Sequence, residues 1–421
     1  MPMQPWFPDA KLGIFIHYGI YAVGGAAESW SFYTGEMTHE QYMKQLDGFT
    51  ASHYDPDAWA ELFARVGARY AVLTARHHDG VALWDTDHRN LDVVRDTPAG
   101  RDLVTGFVDA LRARDLKVGL YYSHSDWNHP DYASQRHPGP IIVPPNEYSH
   151  AEPGKEDPAA WARYLAYRDG QVGELVERFR PDVLWFDGEW ERTEEQWRMG
   201  ELAQLILSGN PDTILNGRML SYGDYATPEQ GTPLRAPDGP WELCLTINDS
   251  WSFRPQDRDF KSVRQLVRYF TETIGMGGNL LLGAGPREDG TIPEEQIERL
   301  EGLGAWIARH SDAVYGTVAG LPAGHHYGPS TLSADRRTLY LVCFDAPRDS
   351  VSIRGLRNPV RRATVLGTGA ELGHHVTGGL DTVPGVTWID APTAADLDEQ
   401  ATVIAVELEG ELDLYTGAGR L

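Results

Sequence analysis

In the segment from Val183 to Trp190, which reads VLWFDGEW, Asp187 ends a strongly apolar run. Trp185 and Asp187 are two residues apart, so on a β-strand both side chains project from the same face, and Phe186 projects from the other. Glu189 follows the glycine, and we interpret it as a loop contact. At the rim of a barrel, a carboxylate beside Trp185 and near Arg218 would stay ionised and be held rigidly, and both are requirements of a nucleophile in retaining glycoside hydrolysis. The alternative is an ordinary surface turn.

Seven apolar stretches with the composition of buried strands alternate with amphipathic helical patterns in the first three quarters of the chain. They are residues 12–19, 70–77, 117–123, 183–187, 213–218, 241–247 and 279–285. Parallel strands covered on both faces have this continuous apolar character. The alternation predicts an α/β fold with a (β/α)8-like, TIM-type barrel. No glycine-rich phosphate loop follows the first strand, which disfavours a Rossmann fold.

Helix signals support this reading. Asp55 followed by Pro56, and Asp157 followed by Pro158, are typical helix starts. Thr193 and Gln196 form a capping box that predicts one helix over residues 193–207.

From residue 316 the pattern changes to short strand-like segments separated by turn signals. They are residues 338–345, 349–356, 361–369, 385–392 and 401–410. This pattern predicts an antiparallel β-sandwich. We therefore expect a catalytic barrel over residues 1–315 and a β-sandwich domain over residues 316–421.

Composition excludes several function classes. The formal net charge of −24 argues against binding to nucleic acid or to an anionic membrane surface. No apolar run is long enough to span a bilayer, and no signal-peptide pattern is present, so we expect a cytoplasmic protein. Cys244 and Cys343 are too few for a disulfide scaffold and fit a reducing compartment. The sequence carries no signal for an oligomeric state.

Polar and aromatic residues occupy the carboxyl ends of the predicted strands, where barrel enzymes place their active sites. They are His17 and Tyr18, His77 and His78, Tyr121 and Tyr122, Trp185 and Asp187, Asn216 and Arg218, and Asn248, Asp249 and Trp251. Each one has a structural explanation when taken alone, but their convergence at one rim favours an active site. The 13 Trp and 19 Tyr residues suit a sugar site, where aromatic rings stack on the apolar faces of the sugar.

A metal site is the main rival explanation for the histidines. Adjacent residues on a strand point to opposite faces, so we do not expect His77 and His78 to hold one ion. The strand ends contain no HxH or HExxH pattern. We therefore expect no metal and no other cofactor.

The chain resembles the α-L-fucosidases of glycoside hydrolase family 29 from residue 11 to about residue 316. The resemblance rests on KLGIFIHYGIYAV, YAVLTARHHDGVALWDT, KVGLYYSHSDW, VLWFDGEW, ILNGR, PWELCLTINDSWSF and GGNLLLGAGPREDGTIP, in that order. It implies a retaining, exo-acting hydrolase of terminal α-L-fucosyl residues with Asp187 as the nucleophile. The implied substrate-binding residues are His17, Glu28, Trp30, His77, His78, Tyr121, Trp185, Arg218 and Trp251. Many members of the family read Glu-Trp-Tyr where this chain reads AAESWSFY.

The resemblance leaves two glutamates as candidates for the general acid/base. Glu229 belongs to a loop beyond the fifth predicted strand, on the active face of the barrel. Glu242 begins the sixth predicted strand, which places it at the opposite end. Geometry favours Glu229 and keeps Glu242 as the alternative, with Asp249 third. In the expected mechanism Asp187 attacks the anomeric carbon, and Glu229 protonates the leaving oxygen and then activates water.

Two other functions stay open at this stage. A transfucosylase would use the same residues with a different acceptor, and a non-catalytic fucose-binding protein would keep the aromatic and histidine residues. The expected partner in each case is a fucosylated oligosaccharide or glycoconjugate. The loops at residues 128–157 and 219–240 are candidates for shaping the leaving-group side.

Overall fold

The computed structural model describes residues 3–134, 148 and 157–419. The larger part of the predicted leaving-group loop at 128–157 therefore lies outside the described residues. The strands of the first part of the chain are β1 (Leu12–Ile16), β2 (Tyr70–Arg76), β3 (Val81–Ala82), β4 (Leu91–Asp92), β5 (Lys117–Ser123), β6 (Val183–Asp187), β7 (Ile214–Leu215), β8 (Glu242–Thr246) and β9 (Asn279–Ala284).

The main strands form a parallel sheet in the order β7–β6–β5–β2–β1–β9–β8, and β3 and β4 extend it beside β2. Every pairing along the main path is parallel. The carboxyl ends of these strands therefore meet at one rim, as the sequence predicts.

The two outer strands of this order, β7 and β8, are joined by residues 224–230, which we call the closing segment. Parallel bridges connect it to both strands, from Asn216 to Tyr225 on one side and from Glu229 to Cys244 on the other. The backbone N–H of Asp224 donates to Leu215 at 2.7 Å, and that of Gln230 donates to Cys244 at 2.9 Å. The eighth position of the barrel is thus filled by part of the region that the sequence assigned to a loop.

Helices surround the barrel, and several begin where their capping residues predict. They are α1 (Tyr21–Gly24), α2 (Trp30–Tyr33), α3 (His39–Met43), α4 (Pro56–Arg65), α5 (Val93–Asp96), α6 (Leu103–Arg112), α7 (Pro158–Glu174), α8 (Glu194–Trp197), α9 (Met199–Gly209), α10 (Val263–Gly275) and α11 (Glu294–Arg309). Shorter 3₁₀ turns cover Phe7–Asp9, Lys44–Gly48, Glu189–Glu191, Gly217–Tyr222, Ser311–Ala313 and Ala394–Asp396, and a π-turn over Leu175–Phe179 extends α7. Among the described residues, no helix combines the length and the apolar character needed to cross a bilayer.

Two sequence expectations about element length are wrong. The single helix predicted over 193–207 is divided between α8 and α9, because Arg198 adopts a left-handed conformation with φ of 50°. The strand predicted over 213–218 is reduced to β7. There the side chain of Asn216 exchanges two hydrogen bonds with the backbone of Phe186, at 2.8 and 2.9 Å, in place of the next ladder bonds.

The barrel has an inner and an outer core. The inner core fills the lumen and includes Phe15, Tyr70, Tyr121, Trp185 and Leu281. The outer core lies between the sheet and the helices and includes Phe186. Trp185 and Phe186 therefore face opposite sides of the sheet, as their alternation predicts.

The remaining strands form two antiparallel sheets. They are β10 (Thr317–Ala319), β11 (Ser330–Ser333), β12 (Thr338–Cys343), β13 (Ser350–Ile353), β14 (Val360–Val365), β15 (Glu371–Leu372), β16 (His374–Thr377), β17 (Val386–Asp390) and β18 (Thr402–Leu408). One sheet has the order β10–β11–β12–β18–β14–β15 and the other β13–β17–β16. The sequence pattern missed β10, β11, β15 and β16. The indole N–H of Trp306 on α11 donates to Ala401 at 2.9 Å and links the barrel to this part of the chain.

A buried ion pair supports the rim at β2 and β5, and its loss should destabilise the fold. Arg76 and Asp126 are fully buried and 3.2 Å apart, and Arg76 also donates to the carbonyl of Ser123. Arg76→Met leaves a buried carboxylate without its cation, so we expect unfolding to become easier by about 3–5 kcal/mol.

Chemical denaturation of Arg76→Met against the wild type measures this effect. Arg65→Met is the matched control, because Arg65 pairs with Glu301 at 2.7 Å on the surface, where both side chains are about half exposed. Such a pair contributes up to about 1 kcal/mol. Equal losses in the two variants would contradict the prediction.

Candidate active site

A cavity of about 270 Å³ opens at the carboxyl ends of the barrel strands. It is lined by Phe15, His17, Glu28, Trp30, His77, Tyr121, Trp185, Asp187, Trp190, Arg218, Glu229, Cys244 and Trp251. Its volume is just below the range for small-molecule sites, roughly 300–1,000 Å³. One sugar ring is therefore a better match for it than an oligosaccharide.

Asp187 is the last residue of β6, and both of its carboxylate oxygens receive hydrogen bonds. Tyr121 donates its hydroxyl proton to Oδ2 at 2.9 Å, and Arg218 donates from Nη1 to Oδ1 at 2.7 Å. His78 Nε2 lies 3.6 Å from Oδ2. These contacts fix the orientation of the carboxylate, while 17% of its side chain stays exposed to the cavity.

Arg218 connects two carboxylates on the cavity wall. Its Nη2 donates to Glu229 Oε2 at 3.0 Å while its Nη1 holds Asp187. Glu189 lies 3.9 Å from the same guanidinium. Burial lowers the pKa of Arg218, but the three carboxylates outweigh it and raise that pKa above its usual range. The planar guanidinium therefore sets the relative positions of Asp187 and Glu229.

Glu229 reaches the cavity because the closing segment carries it there. Its side chain is 41% exposed, against 17% for Asp187, so it lies nearer the mouth of the cavity. The parallel bridge to Cys244 anchors its backbone against β8. A carboxyl group at this place can contact both solvent and a bound glycoside.

The two adjacent histidines both face the site, contrary to the expectation that they point to opposite faces. β2 ends at Arg76, so strand alternation does not extend to His77 and His78, whose rings are 4.3 Å apart. His77 lines the cavity and bonds Ser29 through Nδ1 at 2.6 Å. His78 does not line the cavity; it lies against Asp187 and bonds Ser123 through Nδ1 at 2.5 Å.

Burial favours the neutral form of His17 and His77. It lowers the pKa of each ring well below its usual value, a neighbouring histidine lowers it further, and Asp187 opposes the fall. A neutral imidazole offers one donor and one acceptor, which suits sugar hydroxyls. Among residues 3–134, 148 and 157–419, no group of three or more His, Cys, Asp or Glu is arranged to hold a metal ion.

Part of the cavity wall comes from the segments that follow β1 and β8. Trp251 stacks on His17 with ring centroids 4.9 Å apart. Glu28 is buried and accepts a hydrogen bond from the backbone N–H of Ser252 at 2.7 Å. Burial raises the pKa of Glu28. Trp30 stacks on Trp190 at 5.9 Å and forms the adjoining part of the wall.

The other two acid/base candidates do not line the cavity. Glu242 is fully buried in the lumen beneath Trp185, where its carboxylate accepts hydrogen bonds from Trp185 and Tyr70. Asp249 is exposed, and its backbone N–H bonds the side chain of Asp257. Both placements follow from strand geometry. Glu242 is the first residue of β8, and Asp249 lies beyond the carboxyl end of that strand.

Sequence reasoning missed three residues that line the cavity, and it took a fourth, Glu189, for a loop contact although it lies beside Arg218. Phe15 is two residues before His17, and Cys244 is two residues after Glu242, so the period of two could have placed both in the lumen. Trp190 and Glu189 lie in the 3₁₀ turn after β6, where no simple period predicts direction. Glu189 is therefore more than the loop contact that we expected.

Glu189 should make stability depend on pH. Burial raises its pKa to about 7; Arg218 opposes the rise, and Asp187 and Glu229 add to it. The unfolded chain releases this proton near pH 4.5. Between these values the folded protein holds the extra proton, so rising pH weakens the fold across this window.

Glu189→Gln removes this dependence. We expect the variant to match the wild-type Tm near pH 4.5 and to exceed it by a few degrees at pH 8. Melting curves from pH 4.5 to 8 measure the difference, with Glu195→Gln on the exposed surface as the control for losing one charge. A difference that stays constant with pH would contradict the assignment.

A parallel barrel whose strand ends present two arginine-linked carboxylates, neutral histidines and tryptophans has the architecture of a glycoside hydrolase. Residues 1–312 match the family model described as Alpha-L-fucosidase. The chain belongs to the α-L-fucosidase family, and the resemblance seen in the sequence is confirmed.

Individual relatives agree with this assignment. The plasma α-L-fucosidase of Rattus norvegicus is 31% identical over 75% of this chain and 71% of its own length. The α-L-fucosidase of Dictyostelium discoideum is 28% identical over 94% of this chain and 90% of its own.

Solved structures extend the likeness to both parts of the fold. α-L-Fucosidase isoenzyme 1 from Paenibacillus thiaminolyticus has a TM-score of 0.84 at 33% identity, covering 96% of this chain and 98% of its own. The α-fucosidase of Thermotoga maritima in complex with fucose has a TM-score of 0.78 at 29% identity, covering 96% and 97%. The predicted barrel followed by a β-sandwich is thereby confirmed.

Proposed function

We propose that this chain is a retaining, exo-acting α-L-fucosidase that hydrolyses terminal α-L-fucosyl residues of glycans or glycoconjugates. The observation that carries the proposal is the contact of Arg218 with both Asp187 and Glu229 in a cavity sized for one sugar ring. The relative from Thermotoga maritima has been crystallised with fucose and also with a mechanism-based inhibitor.

Asp187 is the proposed nucleophile. Its oxygens are oriented by Tyr121 and Arg218, and it lies at the floor of the cavity, where the anomeric carbon of a bound fucosyl unit would face it. Attack forms a glycosyl-enzyme and releases the leaving group. Arg218 and the Tyr121 hydroxyl stabilise the carboxylate when it is regenerated in the second step.

Glu229 is the proposed general acid/base. Its position near the cavity mouth lets it protonate the leaving oxygen in the first step and accept a proton from water in the second. Glu242 is the less favoured alternative, because a group sealed beneath Trp185 has no path to the leaving oxygen.

The substrate-binding roles follow from the polarity of the wall. Glu28, His17, His77 and Arg218 offer donors and acceptors to the sugar hydroxyls, and His78 supports Asp187. Trp251, Trp30, Trp185 and Tyr121 offer ring faces to the apolar side of fucose, including its methyl group. A fucosylated substrate and no cofactor are thus proposed.

The division of the chain is also part of the proposal. We place the boundary between a catalytic barrel at residues 1–315 and a β-sandwich domain at residues 316–421, since β10 begins at Thr317. Cys244 and Cys343 are unpaired, which supports a reducing compartment such as the cytoplasm.

Turnover of a panel of nitrophenyl glycosides tests the reaction class. We expect release of nitrophenol from the α-L-fucoside above all others, and proton NMR of early product should show α-L-fucose before mutarotation. Early β-L-fucose would mean inversion and would overturn the double-displacement mechanism. Binding of fucose without turnover of any glycoside would favour the binding-protein alternative, and fucosyl transfer to an added sugar that exceeds hydrolysis would favour the transfucosylase.

A further inference from the structure

A carboxyl group that the proposed mechanism does not use is sealed in the barrel lumen directly beneath the active site. Glu242, the first residue of β8, has no exposed surface. Its Oε1 accepts the indole N–H of Trp185 at 2.9 Å, and its Oε2 accepts the hydroxyl of Tyr70 at 2.5 Å. One side chain thus joins β2, β6 and β8 across the lumen.

The lumen is shaped to hold this arrangement. Tyr70 lies beside Gly13 of β1, where a Cβ would stand 2.3 Å from the ring carbon Cζ of Tyr70. Only glycine at this position lets the phenol ring extend across β1 toward Glu242. A buried carboxyl group is costly unless its oxygens are hydrogen-bonded, and these two donors meet that requirement.

Trp185 carries the effect of Glu242 into the site. Its ring stacks on Tyr121 at 5.7 Å and 17°, and the guanidinium carbon of Arg218 lies 5.5 Å from its centre. Tyr121 and Arg218 are the two residues that hydrogen-bond Asp187. The rotation of one indole therefore affects both contacts that orient the proposed nucleophile.

We propose that Glu242 is a positioning residue, which fixes the indole of Trp185 through its N–H and thereby holds Tyr121 and Arg218 in register with Asp187. The inference rests on the proposed fucosidase function, which it deepens. Burial raises the pKa of Glu242 to about 7, and the hydrogen bonds from Tyr70 and Trp185 oppose that rise. Both hydrogen bonds persist with a neutral glutamine, since a tyrosine hydroxyl also accepts.

Kinetics of four variants on two substrates test the role: Glu242→Gln, Glu242→Leu, Trp185→Phe and the Trp185→Phe/Glu242→Leu double variant. The substrates are 4-nitrophenyl α-L-fucoside, with a good leaving group, and a fucosyl disaccharide, with a poor one. We expect Glu242→Gln to retain kcat/KM within about fivefold. Glu242→Leu should lose about 10- to 100-fold equally on both substrates, because misplacement of the nucleophile affects both.

The double variant separates positioning from a general structural role. If Glu242 acts through the indole N–H, Glu242→Leu should cost little further activity once Trp185 is phenylalanine. An additive loss would overturn the proposal. Rescue of Glu242→Gln by azide, or a much larger loss on the disaccharide, would instead make Glu242 the acid/base.

Should Glu242→Leu fail to fold, the cycle is run with Glu242→Met, which is closer in shape to glutamate and also lacks an acceptor for the indole N–H; its loss is again expected to vanish once Trp185 is phenylalanine. A wild type without activity on any fucoside would refute the proposed function rather than this inference. In that case the double-mutant cycle is measured on the affinity of the same variants for fucose, by calorimetry. The losses of affinity are again expected to be non-additive.

Discussion

Asp187→Asn is expected to lower kcat/KM on 4-nitrophenyl α-L-fucoside by roughly 10³- to 10⁶-fold, the range seen when a covalent nucleophile is removed. Asparagine keeps the shape of the side chain and can still contact Tyr121 and Arg218, so the loss reports chemistry rather than collapse of the site. The corresponding rise in the barrier is about 4–8 kcal/mol.

Covalent labelling identifies the nucleophile directly. A 2-fluoro-fucosyl fluoride should add one fluorofucosyl unit to the wild type, located at Asp187 by peptide mass spectrometry, and none to Asp187→Asn. Azide should restore part of the activity of Asp187→Ala and give β-L-fucosyl azide, because it attacks the substrate once from the opposite face. A label on Glu189 or Glu229 would contradict the assignment.

Glu229→Ala is expected to lower kcat/KM by about 10²- to 10⁴-fold on a fucosyl disaccharide, whose leaving group needs a proton. The loss in the first step should be smaller on 4-nitrophenyl α-L-fucoside, because nitrophenolate departs without protonation. Arg218 still holds Asp187 in this variant, so formation of the glycosyl-enzyme continues with good leaving groups.

Azide again supplies the diagnostic product. It should accelerate Glu229→Ala by replacing water in the second step, and the product should be α-L-fucosyl azide, opposite in configuration to that from Asp187→Ala. Glu189→Gln is the matched control, since Glu189 also lies beside Arg218 but should show no azide rescue. Rescue of Glu189→Gln in place of Glu229→Ala would move the acid/base role to Glu189.

The two glutamates around Arg218 show why the local pattern alone is insufficient. Glu229 and Glu189 follow barrel strands in regions without regular periodicity, and nothing in their spacing distinguishes a rim carboxylate from a buried one. The distinction depends on tertiary contacts. The closing segment places Glu229 beside Arg218 with 41% of its side chain exposed, and the 3₁₀ turn after β6 places Glu189 beside the same guanidinium with 17% exposed.

The sequence by itself determined the order of the parallel strands along the chain, the helix starts at Asp55 and Asp157, and the inward direction of Trp185 and Asp187. These features depend on local rules, namely strand alternation, capping and continuous apolar runs. The tertiary structure alone decided that residues 224–230 complete the barrel, that His77 lines the cavity while the adjacent His78 lies against Asp187, and that Trp185 and Tyr70 hydrogen-bond Glu242. Each of these depends on hydrogen bonds and packing between segments distant in sequence, which no local period encodes.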